Sequence, residues 1–169
     1  MAMQDGAAEG TNPVLDEVRE LDTGSAVAVV GHPIHAMMVH FPIALVIATF
    51  GTDIFYWWSG DAFWVRAGLW SAGFAFWTAV AAGLVGTAEL LLVPGIRVRV
   101  QSWSHAVAAM TLIAVAGMNW GLRVAYPEMV LPHGLALSGL ASVMAGFAGY
   151  HGGKLVFDHG MGILVSSKN

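Results

Sequence analysis

PIHAMMVHFPIALVIATFGTDIFYWW, residues 33–58, decides the fold: an unbroken apolar run with one acid, Asp53, and no lysine or arginine. A helix rises 1.5 Å per residue, so about 20 residues cross the hydrocarbon core of a bilayer. Pro33 suits a first helical turn, where its missing N–H costs nothing. Pro42 lies well inside the run, so it frees the carbonyl of Met38 and predicts a kink there. Tyr56, Trp57 and Trp58 form an aromatic belt at the far end.

Three further runs follow, at residues 62–93, 103–126 and 132–157, ended or separated by Pro94-Gly95, Pro127 and Pro132. Short loops make successive helices antiparallel neighbours. The expected fold is an all-α integral membrane bundle of four helices, filling residues 31–164, with both termini on one side. Residues 1–30 read as an acidic, largely disordered tail, in which Pro13–Leu21 has the pattern of a short amphipathic helix. Residues 165–169 read as a C-terminal tail.

Composition agrees. Of 169 residues, 57% are hydrophobic and 11% charged, against about a quarter charged in soluble domains. Mean hydropathy is +0.67. The tail carries Asp5, Glu9, Asp16, Glu17, Glu20 and Asp22 against Arg19, which leaves the rest of the chain near neutrality. No basic patch points to nucleic acid. With no cysteine, thiolate metal sites, cysteine nucleophiles and c-type haem attachment are excluded. Phosphate-binding and nucleophile-elbow motifs are missing, so no catalytic residue is assigned and no catalytic activity is expected of the chain by itself.

Four spans bring the histidines together. His32, His35 and His40 open the first helix, His105 opens the third, and His151 and His159 close the fourth; only His133 falls at the other face. His40 and His105, the deepest, are the candidate axial ligands of a b-type haem, or ligands of another metal if one is bound. His35, His159 and His32 are secondary candidates. Three or four imidazoles round one metal ion are an alternative. Glu89, near the same face, is a candidate for orienting a ligating imidazole. Asp53, Asn119 and Arg123, near the opposite face, read as a structural clamp. Gly83, Gly86, Gly139, Gly146 and Gly149 let helices approach closely, or leave room for a flat cofactor.

GHPIHAMMVHFPIA, residues 31–44, and GGKLVFDHGMGI, residues 152–163, resemble the opening and closing motifs of the bacterial membrane family called domain of unknown function 2231. Ala36 stands where that family commonly has a second proline, and Glu89 where an aspartate is expected. The resemblance implies a four-helix membrane domain, singles out His32, His35, His40, His105 and His159, and gives no support to His151. Its relatives sometimes adjoin redox modules, which favours electron transfer by association only.

The leading expectation is therefore a haem-binding or redox membrane subunit. A noncatalytic membrane anchor or assembly subunit is the rival, and a metal-ion or proton pathway through Glu89, Asp53 and the histidines ranks third. The expected partners are the lipid bilayer and a redox protein or a second copy. Arg97, Arg99, Lys154 and Lys168 near the histidine face, against Arg66 and Arg123 near the other, place both termini in the cytoplasm and the protein in the bacterial cytoplasmic membrane.

Overall fold

The structure, a computed structural model, describes residue 20 and residues 22–163. The amphipathic pattern at Pro13–Leu21 lies outside the described residues save for Glu20, and Lys168 lies outside them too. A two-residue ribbon, β1 (Ala28–Val29) with β2 (His32–Pro33), leads into α1 (Ile34–Met38) and α2 (His40–Ser59). There follow α3 (Ala62–Leu92), the single turn α4 (Pro94–Arg97), α5 (Val100–Ala125), a 3-10 turn at Pro127–Val130, and α6 (His133–Phe157).

The boundaries follow local chemistry. The first helix is interrupted at Val39, one turn before Pro42, where the proline has no N–H to offer the Met38 carbonyl. Gly60 ends α2 in the left-handed conformation (φ 68°), and its N–H bonds the Tyr56 carbonyl at 2.8 Å. Asp61 caps α3, accepting from the Phe63 N–H at 2.8 Å. Gly160 (φ 62°) closes α6, with Met161 N–H bonded back to Leu155 and Gly160 N–H to Val156. The left-handed glycine and its bond to Val156 form an αL helix end, and Met161 is buried beneath it.

The long helices pack as a closed ring. α2 lies against α3 and α6, while α5 lies against α6 and α3. The interior is built from small residues, among them Ala75, Ala79, Ala141, Ala145 and Ala148. Large apolar side chains face outward, as at Trp58 (79% exposed), Trp70 (68%) and Leu84 (69%). Water-soluble proteins bury such side chains. Between helices in lipid the order reverses, because close backbone approach, not hydrophobic burial, drives association.

Among the described residues three helical stretches are long and apolar enough to cross a membrane: Ile34–Ser59, Ala62–Leu92 and Val100–Ala125. α6, with 25 residues, is long enough, but its glycines, serines and histidines dilute its apolar character. Three of the four expected spans thus have the length and apolar character to cross, and the fourth, α6, is a small-residue helix packed among them.

The disordered tail expected up to residue 30 also needs correction. Thr23 and Ser25 are 0% and 1% exposed. The Gly162 N–H bonds the Thr23 carbonyl at 3.0 Å, and the Thr23 hydroxyl reaches the Gly160 carbonyl at 3.4 Å. This segment therefore packs on the end of α6, and the folded domain begins before residue 31.

Candidate functional site

α1, the start of α5 and the end of α6 meet at one end of the bundle. α1 carries His35 against α3, where its Nδ1–H donates to the Ala82 carbonyl at 2.9 Å. The second turn of α5 carries His105 against α6, where its Nδ1–H donates to the Ala148 carbonyl at 3.1 Å. A carbonyl only accepts, so both rings hold their proton on Nδ1. In a neutral ring the lone pair is then on Nε2. Neither Nε2 makes a hydrogen bond among the described residues. The ring centroids stand 6.4 Å apart with planes at 77°.

A glycine seats each ring. A Cβ on Gly86 would lie 2.6 Å from His35 Cε1, and a Cβ on Gly152 would lie 3.0 Å from His105 Cε1. Gly83 and Gly139 serve packing, against Ile113 and Phe50. The interior cavity, lined among others by Thr49, Asn119 and Ser138, has room for about one water molecule.

The ring that faces His105 is therefore His35, and the expected His40–His105 pairing is not formed. His40 is exposed, its Nδ1 3.3 Å from the Met37 carbonyl. His35 and His40 stand five residues apart, about 140° around a helix, so the two cannot face one centre, and His35 is the one that packs on α3. His32 is exposed and bonds the Val30 carbonyl of its own turn. His159 is half-buried beyond α6, and His151 packs edge-on to Phe147 and Tyr150. His133 is exposed at the first residue of α6. No cluster of three metal-ligating side chains forms among the described residues, which removes the expected three- or four-imidazole centre.

Glu89 has a different task from the one expected. Its Oε1 accepts from the Ser25 hydroxyl and the Val27 N–H (3.0 Å), and its Oε2 accepts from the Ala26 N–H (3.0 Å). Both oxygens thus hold the segment before β1, and no imidazole is bonded to them. Thr23 and Ser25, absent from the candidate residues, build this seal. Two polar residues bordering an apolar run were its only sequence signal.

At the opposite end Arg123 Nη2 meets Asp53 Oδ2 at 2.5 Å, and Arg123 Nε donates to Asn119 Oδ1 at 3.0 Å. Ser138 adds a hydroxyl to Asp53 Oδ2 at 2.6 Å. Gly68 makes room, since a Cβ there would stand 2.8 Å from Arg123 Nη1.

The family profile described as "Predicted membrane protein (DUF2231)" matches residues 31–164, from the ribbon before α1 to the end of α6. The chain belongs to this family. Among curated proteins and solved structures nothing matches. The DUF2231 match spans both ends of the bundle, including His35, His105, Asp53 and Arg123. Of the buried N-terminal seal it includes Glu89 but not Thr23 or Ser25.

Proposed function

We propose that this DUF2231 protein is a membrane metal-binding subunit in which His35 and His105 hold one transition-metal centre for electron transfer. The centre is the iron of a b-type haem or a bare ion. One observation carries the reading: two half-buried imidazoles from different helices, fixed as the same tautomer, stand 6.4 Å apart. With metal–nitrogen bonds of about 2.0–2.1 Å, two rings on opposite sides of one metal have centroids roughly 6 Å apart. Imidazole suits iron, copper, zinc and nickel, and a carbonyl on the second nitrogen is how ligating histidines are commonly oriented. A macrocycle asks more than an ion, because the interior cavity takes about one water.

In this reading α6 also crosses the bilayer, giving four antiparallel spans in the bacterial cytoplasmic membrane. Both termini lie on the cytoplasmic side with Arg97, Arg99 and Lys154. The electron partner is a redox protein or a second copy.

The test is an absorption spectrum of detergent-purified protein expressed with haem supply, oxidised and dithionite-reduced, with elemental analysis of the same sample. A Soret band with sharp α and β bands on reduction identifies haem; stoichiometric metal without them identifies a bare ion. Either signal should weaken sharply in His35→Ala and in His105→Ala and persist in His40→Ala. A colourless, metal-free protein overturns the proposal in favour of a noncatalytic anchor. That second reading draws on the same carbonyl bonds, which tie α1 to α3 and α5 to α6 whether or not a metal is bound.

A further inference from the structure

The histidine site is built twice over from one pattern. Residues 68–86, GLWSAGFAFWTAVAAGLVG, and residues 134–152, GLALSGLASVMAGFAGYHG, share G-L-x-x-x-G-x-A-x-x-x-A-x-x-A-G-x-x-G. In the preceding helices one constant shift carries His35, Ala36, Ile43, Ala44, Gly51 and Tyr56 onto His105, Ala106, Ile113, Ala114, Gly121 and Tyr126.

The contacts repeat with the residues. His35 bonds the first alanine of AGLVG (82–86) and lies on its last glycine; His105 does the same in AGYHG (148–152). The ring of Phe50 lies on Gly139, and that of its counterpart Trp120 lies on Gly73, the counterpart of Gly139. Burial coincides: Gly68, Ala72, Ala75, Ala79 and Ala82 map onto Gly134, Ser138, Ala141, Ala145 and Ala148, all buried. Packing obeys the same exchange, since α2 on α6 mirrors α5 on α3.

We infer that α1–α3 and α5–α6 are two copies of one helical hairpin related by an approximate twofold axis along the bundle. The metal centre lies on that axis, held by two equivalent imidazoles. The second statement rests on the function proposed above; the first does not. The axis passes through the interior cavity, whose lining is matched pairs such as Val46 with Ala116 and Thr49 with Asn119. The histidines meet at one end of it, and Asp53 and its counterpart Arg123 at the other. At that second end the matched residues differ in charge, Asp53 against Arg123, for a physical reason. A perfect repeat would set two like charges face to face in a buried site, whereas an acid and a base neutralise each other.

Exchanging the divergent polar residues around the ion pair between the halves tests the duplication. The full exchange is Thr49→Asn, Asp53→Arg and Ala72→Ser with Asn119→Thr, Arg123→Asp and Ser138→Ala. It should melt cooperatively within about 5 °C of wild type in detergent. Each half-exchange, which makes the two ends alike, should be lost from the membrane. If the full exchange is no more stable than the half-exchanges, the twofold relation is wrong. Ligand equivalence is read separately: His35→Ala and His105→Ala should weaken metal binding by the same factor, within about threefold. A metal-binding wild type whose variants differ more than that overturns the axial site. A metal-free wild type removes the axial site with the reading beneath it, while the exchange still decides the duplication.

Discussion

The two ends of the bundle handle buried polarity in different ways. At one end Asp53 and Arg123 are 1% and 2% exposed, locked at 2.5 Å and further tied by Asn119 and Ser138. At the other, His35 and His105 approach without bonding each other, and each is held by a single carbonyl. A full charge in an apolar interior is tolerated only with its counter-charge, so most of its bonding capacity goes into structure, although Asp53 Oδ1 and Arg123 Nη1 make no hydrogen bond among the described residues. A neutral imidazole needs one acceptor to be held and keeps a lone pair for a ligand. The first end is thereby committed to stability, and the second is left able to bind.

The sharpest way to break this contrast is at the ion pair. Arg123→Ala leaves the Asp53 carboxylate buried without its counter-charge, and should cost about 3–5 kcal/mol. Thermal unfolding in detergent measures it. The double variant Asp53→Leu/Arg123→Met should recover most of the loss, because it removes both charges and fills the space. A tolerant Arg123→Ala variant would mean that the charges find other partners.

Gly86 comes next. An alanine there places Cβ 2.6 Å from His35 Cε1 and 2.8 Å from Nδ1, so the ring must leave its carbonyl. The overpacking should cost about 1–3 kcal/mol. Gly152→Ala, whose Cβ meets His105 at 3.0 Å, should cost less. The reverse order, in melting temperature or metal content, would show that His35 is the more loosely seated ring.

Glu89→Ala should have a similar but local cost. It removes the carboxylate that the buried Ser25 hydroxyl and the part-buried Val27 N–H bond, at about 1–3 kcal/mol for the lost acceptor. Hydrogen exchange should rise in residues 22–33 and stay unchanged at the ion-pair end. Uniform loosening would show that the N-terminal seal and the bundle are one cooperative unit.

These residues also show what the sequence disclosed. Apolar runs and prolines mark the helices, because each acts through local chemistry. An acid and an arginine inside apolar runs call for partners, and Asp53 and Arg123 do meet. The choice between His35 and His40 was not legible from depth, since it turns on which face of the helix meets α3, and the two lie about 140° apart around it. A better signal lay in the glycines. AGLVG and AGYHG mark where a ring lies close to a backbone, and comparing the chain with itself pairs His35 with His105 through them. The Glu89 seal was hidden because its partners are backbone N–H groups, which every sequence has.

The smallest stability effect falls on the residues of greatest functional interest. His35→Phe keeps an aromatic ring over Gly86 but gives up the bond to Ala82. Interhelical hydrogen bonds in membranes are worth about 0.6–1.7 kcal/mol, so the variant should melt only slightly below wild type. Its metal content should nevertheless fall sharply, since phenylalanine offers no lone pair. His105→Phe should behave alike. If both variants lost stability as steeply as Arg123→Ala while wild type carried no metal, the histidine end would be a lock like its opposite. The contrast between the ends would then reduce to two ways of fastening helices.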